Sequence, residues 1–278
     1  MSSSNIESKG DISSFKNNKT GFISVKENNK EIDFIYKNKN LAYETNKFIF
    51  LGAEKISNTN NIILKNKFNK KIKNYKFSNN WKFKNSWFGN KYISKFVETQ
   101  LSYYSQEELY DQDFNGDGIV GLSYVELENK GNYSLEKDSL FNIYSVNKGL
   151  GDIDKKKIKI GNISAKFITG NWESIAVDKG DLIQSESSLL VQKHIKKNTL
   201  KIYYGSKNWS FQSNQFKIFQ PGSYKYLLAE NFFKTDFNED GNIGFTFDYI
   251  DGYGSSYLVK DDFNNIYVKE KLILTPIT

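Results

Sequence analysis

The stretch "DFNGDGIVG", Asp113–Gly121, returns as "DFNEDGNIG", Asp236–Gly244, 123 residues further on (236 − 113). An acidic, glycine-bearing loop written twice at a domain-sized interval points to internal duplication, and a repeat decides an architecture before local propensities do. The match spreads outward from the loops. "EELYDQDFNGDG" (Glu107–Gly118) faces "ENFFKTDFNEDG" (Glu230–Gly241), and "NNWKF" (Asn79–Phe83) faces "KNWSF" (Lys207–Phe211). Further upstream, "NNIILKNK" (Asn60–Lys67) faces "SSLLVQKH" (Ser187–His194), and "KFIFLGAEK" (Lys47–Lys55) faces "NWESIAVDK" (Asn171–Lys179). After the second loop the pattern starts again, Tyr249–Val268 paralleling Leu127–Val146. The expected organisation is two tandem repeats of about 120 residues, 1–122 and 123–245, followed by a partial third, 246–278.

Within each repeat the apolar residues recur mostly every second position. Runs such as "FISVKEN", "SLLVQKH", "LKIYYG" and "FKIFQ" are rich in Ile, Val, Tyr and Phe and are separated by Asn, Gly, Lys and Ser clusters. That is the pattern of short strands joined as hairpins. "YLVKDDFNNIYV" (Tyr257–Val268) reads as one such hairpin, turning near Asp262–Asn265. One helix-like piece per repeat precedes the acidic loop, Ser105–Gln112 and Tyr224–Thr235. The fold class is therefore mainly β: repeated hairpins with one short helix before each loop.

Composition narrows the function classes. The chain has 278 residues, 16% of them aromatic, which is ample for a packed core. It has no cysteine, so disulfides, thiolate metal sites and thiol nucleophiles are excluded. The net charge is +7, and every one of its 39 basic residues is lysine. Eleven lysines and no acid lie between Lys55 and Lys95. Nucleic-acid recognition leans on guanidinium forks, and none exist here, so a solvated lysine-rich strand face is the expected reading. The N-terminus lacks an apolar stretch of signal-peptide type, and no apolar run is long enough to span a membrane.

The loops carry the chemistry. Hard cations such as Ca2+ take oxygen ligands from alternate positions of a tight turn. Asp113, Asn115 and Asp117 stand at positions 1, 3 and 5, Gly118 allows the turn at 6, and the carbonyl of Ile119 lies at 7. Asp236, Asn238, Asp240, Gly241 and the Asn242 carbonyl repeat the arrangement. This is the first half of an EF-hand loop; position 12, where a bidentate Glu is expected, holds Tyr124 or Phe247. Glu107, Glu230, Glu126 and Asp248 lie nearby as further oxygen donors. A metal-free Asx turn is the competing reading, but replacing Gly116 by Glu239 while keeping all three oxygen side chains favours two weak calcium sites.

The pattern W…IAVD…LLVQK…NW.F…E..F..DFN.DG.IG, carried by Trp172, Ile175–Asp178, Leu189–Lys193, Asn208–Phe211, Glu230 and Asp236–Gly244, resembles the tryptophan-rich C-terminal domain family of cyanobacterial secreted and surface proteins. The resemblance implies a calcium-dependent, exported repeat domain and does not imply an enzyme. The chain keeps only Trp81, Trp87, Trp172 and Trp209, with Phe48 where the second repeat has Trp172. No GxSxG, HExxH or GxxxxGK motif occurs, and the single His194 sits in a polar turn. The expected function is a non-catalytic structural or adhesive module, secreted or on the cell surface, whose partner is a cell-surface polysaccharide or protein. The alternative is a carbohydrate-binding module with exposed aromatics, Trp87 foremost, and structural calcium.

Overall fold

In the first unit, Met1–Ser123, alternating β-branched and aromatic residues pair into two four-stranded antiparallel sheets, besides a short pair of Ile35–Tyr36 with Lys39–Asn40. The computed structural model describes residues 3–7, 12–36, 39–77, 80–82, 94–184, 187–205, 208–252 and 256–270. One sheet is a meander of β1 (Ser3–Glu7), β2 (Ser13–Asn17), β3 (Ile23–Glu27) and β4 (Lys30–Asp33). The other places a long hairpin, β5 (Phe48–Ile56) and β6 (Thr59–Asn66), beside β7 (Ile72–Phe77) and β8 (Ser94–Phe96). The hairpin turns through Ser57 and Asn58, both at positive φ (48° and 59°), as a two-residue hairpin of matching twist requires. Consecutive residues Ile62 and Ile63 are both buried, so both faces of β6 are covered. One face meets the meander in a cluster of Ile12, Ile23, Val25, Phe34, Phe50 and Trp81. Helix α1 (Leu101–Tyr110) then brings Tyr103, Tyr104 and Tyr110 into the core.

The second unit, Tyr124–Thr278, is built from the same parts. Its meander is β9 (Tyr124–Glu128), β10 (Tyr133–Asp138), β11 (Ile143–Asn147) and β12 (Lys156–Lys157). Its central sheet runs β13 (Trp172–Gly180), β14 (Ser187–His194), β15 (Leu200–Gly205) and β16 (Phe216–Phe219), with Ile168–Thr169 at the edge. Six successive residues of β14, Ser187–Gln192, are buried. A strand reads as a continuous apolar run when both faces are covered, and here they are. Leu190 packs with Leu135, Ile143 and Trp209 on the meander side. Leu189 and Val191 pack with Tyr226, Leu227 and Phe233 of helix α2 (Tyr224–Phe233) on the other. Truncating such a side chain to Ala costs about 2–5 kcal/mol. A three-stranded meander, β17 (Phe247–Asp251), β18 (Ser256–Asp261) and β19 (Ile266–Glu270), completes the unit.

The mainly β expectation holds, with a short helix before each acidic loop. The first helix starts at Leu101, a turn earlier than the sequence pattern indicates, and the hairpin turn near Asp262–Asn265 is present.

Matching features recur at matching places. A register shift interrupts β1 at Asn5/Glu7, β9 at Glu126/Glu128 and β17 at Tyr249/Asp251. The long hairpins shift at Phe50/Gly52 and Ser174/Ala176. In the turns after β10 and β18 an aspartate organises the same set of donors. Asp138 accepts from the Asn142 amide and the Tyr144 hydroxyl (2.7 and 2.9 Å), and Asp261 from Asn265 and Tyr267 (2.9 and 3.0 Å).

The pairing departs from the sequence alignment by one residue at two places. Phe48 pairs with Asn66 and Trp172 with His194, while Asn60 pairs with Phe77 and Ser188 with Gly205. Asn60 thus corresponds to Ser188, not Ser187. The cause is the hairpin turn, two residues after Ile56 in the first unit but 181–186 in the second. Because side chains alternate along a strand, one residue of slip would exchange the two faces. The Asp138 and Asp261 networks likewise align Asp138 with Asp261.

Candidate metal centre

Each acidic loop follows a helix that stops abruptly. Asp111 (φ 47°) and Lys234 (φ 53°) take left-handed conformations at the two C-caps. The next amides, Gln112 and Thr235, donate back to the carbonyls of Glu107 (2.9 Å) and Glu230 (3.1 Å). This is a Schellman-type ending, which reverses the chain and turns it beneath the helix.

The structure brings the sequence-predicted residues together in both loops. Asp113 accepts the Gly116 amide on Oδ1 (2.6 Å) and the Gly118 amide on Oδ2 (2.7 Å). Asn115 Oδ1 accepts the Asp117 amide (3.0 Å), Asp117 Oδ1 accepts the Ile119 amide (2.9 Å), and Asn115 Nδ2 donates to Asp117 Oδ2 (3.0 Å). In the second loop Asp236 accepts the Glu239 and Gly241 amides (2.7 and 2.8 Å). Asn238 Oδ1 accepts from Asp240 (3.1 Å), Asp240 Oδ1 accepts from Asn242 (2.8 Å), and Asn238 Nδ2 donates to Asp240 Oδ2 (2.7 Å). Gly118 and Gly241 have φ of 88° and 92°, where a Cβ would strain the backbone.

Glu107 and Glu230, candidates for completing a cation shell, are placed otherwise. Both are fully buried. Glu107 Oε1 accepts the Phe114 and Asn115 amides (2.9 and 3.2 Å), and Oε2 accepts the Gly121 amide (3.2 Å). Glu230 does the same with Phe237, Asn238 and Gly244 (2.9, 3.2 and 3.1 Å). Each carboxylate fastens both ends of its loop to the helix. Burial holds both carboxyl groups above the usual carboxylate range, and the three amide donors pull them back only in part. Phe114 and Phe237 anchor the loops in the core. A lysine on the central hairpin meets the same point: Lys65 Nζ donates to the Phe114 carbonyl (2.5 Å), Lys193 Nζ to that of Phe237 (3.3 Å). Sequence reasoning missed these lysines: the alignment sets Lys65 against Gln192, and only the strand register makes Lys193 its counterpart.

Two carboxylates, one amide and a main-chain carbonyl per loop form the oxygen donor set. Among the described residues, no group of three or more His, Cys, Asp or Glu is placed to hold a metal ion. Residues at position 12, Tyr124 and Phe247, are exposed and offer no carboxylate. The set fits a hard cation that keeps several waters, and does not fit a transition metal.

The remaining sequence candidates fall into the core or outside it. Trp81 and Trp209 are buried, at equal positive φ (57° and 58°). Trp172 is half-buried, with Lys201 Nζ 3.9 Å from its ring centroid and His194 at 5.1 Å. Trp87 lies outside the described residues. Among the described residues no helix is long and apolar enough to cross a membrane.

Residues 138–244 match the tryptophan-rich Synechocystis species C-terminal domain. The matched segment runs from the end of β10 to Gly244 at the close of the second loop, and includes Trp172, Trp209, Glu230 and all four candidate ligands of that loop. It supports the family resemblance of the second unit. No curated protein and no solved structure matches the chain.

Proposed function

We propose that the chain is a non-catalytic, calcium-binding module of duplicated β-rich repeats, structural or adhesive in role and working outside the cell or on its surface. The observation that carries this reading is that both loops, different in sequence at position 4 (Gly116, Glu239), gather the same three oxygen side chains and the same glycine turn. Asp113, Asn115, Asp117 and the Ile119 carbonyl would hold one Ca2+; Asp236, Asn238, Asp240 and the Asn242 carbonyl would hold the other. With two carboxylates and no bidentate Glu, each site belongs to the weak class of about 10⁻⁴ to 10⁻³ M. Sites of that strength fill outside the cell and stay empty in a cytosol. Bound calcium supplies charge neutralisation at the helix-to-strand corner and ties the exposed half of the loop to its buried half. A cell-surface polysaccharide or protein is the partner this role calls for.

Thermal unfolding in excess chelator, then in about 10 mM calcium with magnesium as control, tests the reading. A dissociation constant near 1 mM gives about 1.4 kcal/mol per site, a rise of several degrees. The variant Asp117→Asn, Asp240→Asn keeps the turn acceptors and removes one charge per loop. It should lose the calcium-dependent rise and melt like the parent in chelator. No calcium-selective rise in the parent overturns the reading.

A further inference from the structure

Asn115–Gly116 is the one Asn-Gly pair in the chain. It fills positions 3 and 4 of the first acidic loop, where the second loop has Asn238–Glu239. Asparagine is a chemically labile residue. The backbone nitrogen that follows it can bond to the side-chain carbonyl carbon and close a five-membered ring. A Cβ on the following residue obstructs that closure, and glycine has none. Gly116 is exposed at φ 85°, and a Cβ built on it would meet no atom within 4 Å. The surroundings of the attacking residue are therefore open.

The hydrogen bonds of the loop suit the reaction. Asn115 Oδ1, the oxygen on which negative charge develops as the ring closes, accepts the Asp117 amide at 3.0 Å. A backbone donor fixed at that oxygen stabilises the charge where it forms. Asn115 Nδ2, the group that departs, lies in the exposed part of the loop and donates to Asp117 Oδ2 (3.0 Å). The second loop is an internal control. Asn238 Oδ1 accepts the Asp240 amide (3.1 Å) and Nδ2 donates to Asp240 Oδ2 (2.7 Å). Asp236 Oδ1 takes the Glu239 amide at 2.7 Å, as Asp113 Oδ1 takes that of Gly116 at 2.6 Å. What differs is the residue after the asparagine. Glu239 carries a Cβ, and its side chain is paired with Lys193 at 2.7 Å. One loop geometry thus presents an open peptide in the first unit and an obstructed one in the second.

We propose that Asn115 is a site of spontaneous deamidation in the folded chain and Asn238 is not, so that the first loop alone gains a carboxylate as the protein ages. The Gly116 nitrogen gives its proton to solvent and bonds to Asn115 Cγ. The Cγ–Nδ2 bond breaks, and Nδ2 takes a proton from water and leaves as ammonia. A second water opens the succinimide, at Cγ to give aspartate or at the main-chain carbonyl carbon to give isoaspartate. Either product adds one negative charge, and no oxidant or reductant is consumed. On the calcium reading above, the aspartate product supplies a third carboxylate and tightens the first site, because ligand charge tunes such sites. In the absence of calcium the Asn115 donor to Asp117 is replaced by a carboxylate facing a carboxylate, which weakens the loop.

Peptide mapping by mass spectrometry tests the proposal. The full chain is held folded at about 37 °C and about pH 8 in excess chelator for two weeks. The peptide containing Asn115 should gain the mass of an amide-to-acid exchange at least about tenfold faster than the peptide containing Asn238. Gly116→Glu, which copies the second loop, should lose the gain at Asn115, and Glu239→Gly should create one at Asn238. Asn115→Asp reproduces the aspartate product. It should melt below the parent in chelator and show a larger calcium-dependent rise. No mass gain at Asn115 in the folded chain, equal gains at Asn115 and Asn238, or an unchanged gain in Gly116→Glu overturns the proposal. The peptide map needs no calcium, so a calcium-insensitive Asn115→Asp protein counts against the calcium reading, while the mass gain alone decides the modification.

Discussion

Removing the Glu230 carboxylate should unlock the second loop from its helix. In Glu230→Ala the amides of Phe237, Asn238 and Gly244 lose their acceptor, two of them in fully buried positions. A buried donor left unpaired costs about 1–3 kcal/mol, so the two buried amides together cost about 2–6 kcal/mol. The half-buried Asn238 amide reaches water. Relief of the desolvation that raises this carboxyl group offsets part of the loss, leaving about 2–4 kcal/mol. Glu230→Gln keeps an acceptor for one end of the loop and turns an amide donor toward the other, for about 1–2 kcal/mol. The assay is urea unfolding in chelator at neutral pH, followed by the fluorescence of Trp172 and Trp209. Hydrogen exchange supplies the local readout: protection should fall at Phe237, Asn238 and Gly244 in Glu230→Ala before the sheet opens. A variant within about 0.5 kcal/mol of the parent, the surface-substitution range, with those three amides still protected, would refute the account of the loop.

Tyr110 is buried and, among the described residues, its hydroxyl has no hydrogen-bond partner; the second helix has Phe233 at the matching place. Tyr110→Phe should therefore stabilise the first unit by about 1 kcal/mol, seen as a higher urea midpoint. Tyr226→Phe should cost about 1 kcal/mol, because that hydroxyl donates to the Asn198 carbonyl at 2.8 Å. Glu239 holds a left-handed φ of 65° and an ion pair with Lys193 at 2.7 Å. Glu239→Gly relieves about 1 kcal/mol of backbone cost against at most about 1 kcal/mol for the exposed pair. Its net gain should grow with salt as the pair is screened. Glu107, Glu128, Asp178 and Glu230 all have folded-state carboxyl groups raised by burial. The folded chain then holds more protons than the unfolded one above the ordinary carboxylate range, so stability falls as pH rises through that window. Unfolding free energies across pH 5–8 should decline toward the alkaline end, and less steeply in Glu230→Gln.

Much of this was legible because it is local. Alternating apolar residues, Asn-rich turns and a duplicated acidic loop are statements about neighbours in sequence, and the strands, helices and loop side chains appear where those patterns place them. Register was harder. The longer connection at 181–186 shifts the alignment inside the hairpin, and only main-chain pairing shows that Ser188, not Ser187, corresponds to Asn60. The role of Glu107 and Glu230 was hidden for a different reason. Their partners are backbone amides seven, eight and fourteen residues away, and an amide leaves no mark on a sequence.

Among the described residues the buried glutamates accept from main-chain amides alone, so the corner they hold is indifferent to the side chains that point away from it. Gly116 and Glu239 illustrate this: a bare backbone in one loop and a charged arm in the other leave the same amides on the same carboxylate. A joint of this kind separates shape from surface chemistry. The two loops can differ at their outward positions, in charge or in a lysine contact, while the corner closes as before.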